Sequence, residues 1–290
     1  MLEFRNIELS DKPLFESIFS KENFFISDYC FVDIFIWQNA YHTMCAYDDG
    51  FLFVKYTTDN MDSFLCPIGE GDFKAAIEKL IEYTGGNKLI IGAIPPKYKD
   101  MLEECMPGRF EITENRNGAN YVYLAEKLMY LKGKKLHAKR NHINKFMLTH
   151  DNWSYEPLDD ENTKEFFNYQ LHWCENNPDE FLGETCAVST ALKNREALGI
   201  IGGILRLDGK IIAVTLGSES FPDTFIVHIE KADPEIQGAY QMINQQFAQH
   251  NLEKYTYINR EEDLGIEGLR KAKLSYYPEF LGESFMAVLK

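Results

Sequence analysis

The chain is 290 residues long, 45% hydrophobic and 14% aromatic, enough for two domains with a core each, and no stretch is polar or repetitive enough to read as disordered. Its 45 Asp and Glu outweigh 30 Lys and Arg, a net charge of −15, which argues against broad attachment to nucleic acid or anionic lipid. The six cysteines (Cys30, Cys45, Cys66, Cys105, Cys174, Cys186) lack C-x-x-C spacing. They read as buried free thiols rather than disulfides or metal ligands, and no metal site is expected.

In chain order, "MLEFRNIELSDKPLF" has no basic stretch followed by an apolar one, and no segment approaches 18 uninterrupted apolar residues. The expectation is no transmembrane segment and a cytoplasmic placement. "DKPLFESIF" starts a helix, with Asp11 as N-cap and Pro13 in the first turn. The apolar "DYCFVDIFIWQNAYH" fits a buried helix or a strand. Asp49-Gly50 separates two β-prone runs and predicts a hairpin. In "DFKAAIEKLIEYTGG", Phe73, Ala76, Ile77 and Leu80 share one helical stripe that Gly85 ends. A short strand, "KLIIGAIPP", and a helix, "PKYKDMLEECM", close the first half.

The second half repeats this style. "FFNYQLHWCENN" and "CAVSTALKNREAL" read as helices, and "GGILRLDGKIIAVTLGSES" as a hairpin turned at Asp208-Gly209. The strand "TFIVHIEKA" leads into the helix "PEIQGAYQMINQQFAQHN", whose stripe is Ile236, Tyr240, Ile243 and Phe247. The strand "YTYINR", the helix "IEGLRKAKLSYY" and the strand "SFMAVL" follow. The order is mixed α/β.

Between Lys127 and His150 stand seven Lys and Arg and no acidic residue. As a helix from about Lys134, this segment aligns Leu136, Ile143 and Met147, and Arg140 completes the stripe. Lys135, Lys139 and His142 form an adjacent stripe. Near the C-terminus Ile266, Leu269 and Tyr276 align, and Lys273 completes that stripe. A cation among apolar neighbours needs partners. The expected ones are Glu262 and Asp263 in "NREEDLG", where a strand end opens onto a helix.

"YLKGKKLHAKRNHINKF", "VHIEKADPEIQGAYQMINQQF" and "YINREEDLGIEGLRKAKLSYYPEF" resemble motifs of the phosphatidylglycerol lysyltransferase C-terminal-domain family. The resemblance covers nearly the whole chain and is strongest from Tyr130 to Phe280. It implies an α/β (α+β mixed sheet) fold of two tandem GNAT-like acyltransferase domains, as in the Fem-type peptidyl transferases. A supporting domain would span residues 1–130 and a catalytic domain, opened by the basic helix, residues 131–290. Characterised relatives move an aminoacyl group from aminoacyl-tRNA to an amine or hydroxyl. Lipid-modifying members carry a membrane domain absent from this sequence, which leaves a lipid acceptor unsupported.

On this reading Lys134, Lys135, Lys139, Arg140, His142 and Lys145 hold phosphates of a tRNA acceptor end. Gln237 and Gly238, at the junction where GNAT enzymes carry a Gly-rich loop, seat part of a CoA pyrophosphate if acyl-CoA is the donor. Strand alternation places His228 and Glu230 on one face; Glu230 is the expected base and His228 the alternative, with a satisfied core histidine as its structural reading. Arg260, Glu262, Asp263 and Lys273 are expected to recognise the transferred group, and Asn244 and Asn259 to orient it. The first function reading is an aminoacyl-tRNA-dependent transferase acting on a small-molecule acceptor. The others are an acyl-CoA-dependent N-acyltransferase and a non-catalytic ligand- or RNA-binding module on the same fold. No P-loop, H-E-x-x-H, dinucleotide fingerprint or Ser-His-Asp order is present.

Overall fold

The computed structural model describes residues 1–58, 61–85, 88–176, 183–220 and 223–290. Along the first half run β1 (Arg5–Asn6), α1 (Lys12–Phe19), α2 (Phe31–Trp37), β2 (Met44–Asp48), β3 (Phe51–Thr58), β4 (Met61–Leu65), β5 (Ile68–Gly69), α3 (Phe73–Tyr83), β6 (Ile90–Ile94), α4 (Pro96–Cys105) and β7 (Phe110–Glu114). The second half continues with β8 (Asn120–Leu124), α5 (Ala125–Tyr130), α6 (His137–Thr149), β9 (Trp153–Pro157), α7 (Thr163–Asn176), α8 (Glu184–Lys193), α9 (Arg195–Leu198) and β10 (Ile201–Leu207). The chain ends through β11 (Lys210–Glu219), β12 (Thr224–Ala232), α10 (Ala239–Asn251), β13 (Tyr257–Asn259), α11 (Glu267–Leu274), β14 (Phe280–Gly282) and β15 (Phe285–Leu289).

Local chemistry accounts for most of these elements. Asp49 and Gly50 both take positive φ (44° and 82°) at the β2–β3 turn, the backbone that matches the twist of a tight hairpin. Asp72 caps α3 by accepting from the Ala75 amide at 3.1 Å. The α3 stripe is buried as expected. The apolar segment around Val32 is a helix. "CAVSTALKNREAL" is two helices, broken at Asn194, and the last residue of "FFNYQLHWCENN", Asn177, lies outside the described residues. All six cysteines are free, but only Cys30, Cys45 and Cys66 are buried; Cys186 is exposed.

The strands form two sheets with the same plan. One runs β1-β2-β3-β4-β6-β15-β7, with β5 on β3; the other runs β9-β10-β11-β12-β13-β8-β14. In each, a parallel pair is connected through a helix: β4 with β6 through α3, and β12 with β13 through α10. In each, the next-to-last strand is distant in sequence from both its neighbours: β15 lies between β6 and β7, and β8 between β13 and β14. A single cut near residue 130 therefore does not describe the division. The first unit is Met1–Asn120, Glu262–Gly265 and Gly282–Lys290; the second is Tyr121–Glu261 and Ile266–Leu281. The reason is strand pairing: β15 bonds antiparallel to both β6 and β7, so the C-terminus is an interior strand of the first unit's sheet.

The core of the second unit joins Tyr121 and Tyr123 of β8, Phe146 of α6, Phe225 and Val227 of β12, Met242, Ile243 and Phe247 of α10, and Tyr276. Ile236 and Tyr240 pack at its margin. Leu136, just before α6, and Ile143 and Phe146 on it turn inward. The expected stripe misplaced Met147, which is 49% exposed, because the helix begins at His137 and its inner row runs through Phe146.

Candidate active site

β12 and β13 run parallel and pair at Thr224–Tyr257, Phe225–Ile258 and Ile226–Asn259. There β13 ends, while β12 continues to Ala232. The carboxyl end of a parallel strand pair is a common place for ligands in α/β folds. Asn259 shapes the exit of β13: its side-chain oxygen accepts from the Glu261 amide at 2.8 Å, and Glu261 takes a left-handed backbone, φ 56°. The next two side chains part company. Arg260 Nη2 meets Glu230 Oε1 at 2.7 Å, and Glu261 Oε1 meets His228 Nδ1 at 2.8 Å.

The expected common face for His228 and Glu230 is not found. Leu216 faces Ile229 while Gly217 faces Val227, so His228 is the extra residue of a bulge, and a one-residue slip reverses the side chains that follow. Glu230 is turned toward α10, where Asn244 Nδ2 donates to its Oε2 at 2.9 Å. His228 goes instead to Ser218, which stands opposite Ile226 in the ladder.

On the α10 side a polar cluster sits against aromatic rings. Both oxygens of Glu230 are engaged, one by Arg260 and one by Asn244. Glu230, the expected base, thus has neither oxygen unengaged. The Arg260 guanidinium carbon lies 5.0 Å from the Tyr276 ring centre and 5.9 Å from that of Tyr123. Lys139 Nζ lies over the same Tyr276 ring at 4.1 Å. Lys273 reaches inward as expected, 8% exposed, and donates to the backbone carbonyl of Arg260 at 2.5 Å. Tyr123 donates to the Lys273 carbonyl at 2.7 Å.

Two buried groups in this cluster have no hydrogen-bond partner among the described residues: Arg260 Nη1, a donor, and Asn244 Oδ1, an acceptor. Each such group costs about 1–3 kcal/mol when left unmet. Burial, opposed weakly by Glu230 and assisted by the Arg260 charge, brings the Lys139 ammonium down to about 8. Burial pushes the phenols of Tyr123 and Tyr276 up, so both stay neutral.

His228 fits its structural reading. Its side chain is fully enclosed, and burial pushes the imidazole down to about 3. The neutral ring donates from Nδ1 to the Glu261 carboxylate and accepts at Nε2 from Ser218 Oγ, at 2.9 Å.

The basic segment divides. Lys134, Lys135 and Lys145 are exposed, and Lys139, Arg140 and His142 are half-buried. Arg140 finds its partners in backbone carbonyls, those of Leu131 and Gly133, rather than in a carboxylate of the "NREEDLG" stretch. Its guanidinium ties the loop before α6 to the helix. Lys135 lies 5.4 Å above the Tyr277 ring. Gln237 is exposed. Gly238, at the start of α10, takes φ 96°, and a Cβ there would stand 2.7 Å from the His142 carbonyl oxygen. Packing of α10 on α6 accounts for this glycine.

Glu262 and Asp263 belong with the first unit. Asp263 is fully buried, ion-paired with Arg116 at 3.3 Å and accepting from the Gly265 amide at 2.9 Å. Ser27 donates to Glu262 at 3.4 Å. Burial and the nearby Glu262 push the Asp28 carboxyl up to about 7. Sequence reasoning passed over Ser218 and Tyr123, since a serine and a tyrosine in apolar strands carry no local signal, and it read Tyr276 as core alone.

The model of the family described as phosphatidylglycerol lysyltransferase, C-terminal, matches residues 22–288. The chain belongs to that family. A conserved protein of unknown function from Bacteroides thetaiotaomicron is 42% identical over the whole of both chains, with a TM-score of 0.92. The C-terminal domain of a putative lysylphosphatidylglycerol synthetase from Agrobacterium fabrum is 14% identical, covering 98% of this chain and 92% of that one, with a TM-score of 0.67. A tandem GNAT protein from the clavulanic acid biosynthesis pathway is 8% identical over 99% and 98% of the two chains, with a TM-score of 0.52. An uncharacterised protein of Mycoplasmoides gallisepticum is 28% identical over 59% of this chain, a match that spans 56% of that relative's length. The fold of this phosphatidylglycerol lysyltransferase C-terminal-family member is thus two GNAT-like units, and family and fold together point to an acyl or aminoacyl transferase of the GNAT type. No helix among the described residues is long and apolar enough to cross a membrane.

Proposed function

We propose that the second unit transfers an aminoacyl group from aminoacyl-tRNA to an amine or hydroxyl acceptor. The observation that carries this reading is the pair of unmet groups around Glu230, the Arg260 Nη1 donor and the Asn244 Oδ1 acceptor. A plain acyl thioester brings only a carbonyl to such a site. An aminoacyl ester brings a carbonyl, to accept from Arg260, and an α-ammonium on the adjacent carbon, to donate to Asn244. As the carbonyl becomes a tetrahedral oxyanion, a guanidinium held in place by Glu230 and the rings strengthens its bond to the developing charge. The exposed Lys134, Lys135 and Lys145 supply phosphate contacts, and screening over about 10 Å separates them from the acidic remainder of the chain.

The test is binding of bulk aminoacylated tRNA, deacylated tRNA and acetyl-CoA across a salt series. We expect aminoacylated tRNA to bind more tightly than deacylated tRNA, binding to fall with salt and with Lys134→Glu/Lys135→Glu, and Asn244→Leu to remove the preference for the charged form. Saturable acetyl-CoA binding without tRNA binding selects a CoA-dependent acyltransferase instead. Binding of tRNA indifferent to its aminoacyl group and to Asn244→Leu selects a non-catalytic RNA-binding module.

A further inference from the structure

Lys139 is not explained by a phosphate role in the way its exposed neighbours are. It projects from α6 onto the ring of Tyr276, 4.1 Å from the centre, and among the described residues no carboxylate or carbonyl holds its ammonium. Arg260 occupies the same ring at 5.0 Å. The one carboxylate of the cluster, Glu230, is already committed to Arg260 and Asn244. Two cations therefore share one aromatic platform and one spent counter-charge. That arrangement penalises a second positive charge and leaves the Lys139 amine a ready proton acceptor.

We propose that Lys139 is the group that takes the proton from the acceptor nucleophile. The inference rests on the aminoacyl-transfer reading above and deepens it by assigning the base that the Glu230 geometry leaves open. As the acceptor nitrogen or oxygen bonds to the acyl carbon, its proton passes to the neutral Lys139 amine and the carbonyl electrons move onto oxygen beside Arg260 Nη1. When the carbonyl re-forms, the ester C–O bond breaks and the departing ester oxygen takes the proton back from Lys139. One ester is exchanged for one amide or ester, Lys139 ends as it began, and no further reactant is needed.

The groups that face this amine are Arg260 on the stretch after β13, Glu230 on β12, and the neutral ring of Tyr276. Burial and, after it, Arg260 hold the ammonium down to about 8, and Glu230 opposes them.

Two measurements on the full chain test the proposal. In the first, lysine Cε resonances of the 13C-labelled protein are followed through a pH titration, with Lys139→Arg assigning the signal. A midpoint near 8 for Lys139 is expected, against about 10.4 for an unperturbed lysine; a midpoint above 10 overturns the proposal. In the second, single-turnover loss of the aminoacyl ester is followed with ethanolamine, which offers both an amine and a hydroxyl. Lys139→Arg keeps a cation but cannot accept a proton at neutral pH. It is expected to slow turnover roughly a hundredfold or more while leaving aminoacyl-tRNA binding intact. Full turnover in Lys139→Arg overturns the proposal and returns the residue to anion binding. Failure of the unsubstituted protein to bind aminoacyl-tRNA is a different result, and it removes the donor reading rather than the base.

Discussion

Residues 260 and 261 show how much chemistry one peptide unit can divide. Arg260 turns to Glu230 and Glu261 turns to His228, and the left-handed backbone at Glu261 is stabilised by the Asn259 side chain accepting its amide. Replacing Asn259 by Leu removes that acceptor and is expected to loosen both pairs together. The check is loss of the low-field Arg260 side-chain signal and of the His228 Nδ1–H signal in one NMR spectrum, with either signal surviving alone counting against the coupling. His228 also ties stability to pH. Its pKa falls on folding from 6.5 to about 3 because it is buried, so between those values the unfolded chain binds the extra proton. Stability is therefore present above about pH 6.5 and lost as pH falls toward 3. The urea midpoint should drop between pH 7 and pH 5, and the drop should shrink in His228→Gln, which has no proton to gain; an equal drop in both proteins would assign it to other groups.

At the scale of elements, α10 is positioned by its N-cap. Gly238 holds φ 96° and lies against the backbone of α6, so a methyl group at this position meets the His142 carbonyl oxygen at 2.7 Å and the Phe146 side chain at 3.0 Å. Gly238→Ala is expected to destabilise the second unit by about 2 kcal/mol, from backbone strain and the displaced helix contact. Urea unfolding measures it, and a change below about 0.5 kcal/mol, the range of ordinary surface substitutions, would show that α6 yields freely. Because α10 carries Asn244 and α6 carries Lys139, the same substitution should weaken aminoacyl-tRNA binding. The bulge in β12 works at this scale too. A strand without it would send His228 and Glu230 to one side, and the site would lose either its counter-ion or its buried imidazole.

At the scale of the molecule, each sheet is completed by a strand distant in sequence from both its neighbours, β15 between β6 and β7 and β8 between β13 and β14. Truncation after Ser284 removes β15 and leaves two inner strand edges unpaired in the first unit. Amide protection should fall at Ile91 of β6 and at Ile112 of β7, the register partners of Ala287. Retained protection at both would show that the two strands close on each other without it. This pattern also means that the chain does not separate into two autonomous pieces by cutting between residues 130 and 131.

Much of this was legible in the amino-acid order alone. Helices α1, α3, α10 and α11 and the hairpins at Asp49-Gly50 and Asp208-Gly209 follow from periodicity and turn chemistry, which act within a few residues. The inward Lys273 was visible as a break in an apolar stripe, and the three family motifs led to the tandem GNAT-like fold. What the order of residues left open was decided by contacts between distant segments. The bulge at His228 depends on how β12 settles against β11, the inner row of α6 on where the preceding loop lets the helix begin, and the place of the C-terminus on which strand edges remain to be paired. Asn244, Arg260, Glu230, Lys139 and Tyr276 are spread over almost half the chain, and their shared cluster exists only because α6, α10, α11 and the end of β12 pack on one core. Local sequence determines which elements form, since their hydrogen bonds and turns are local; the site belongs to the tertiary structure, since burial and charge partnership are properties of neighbours in space.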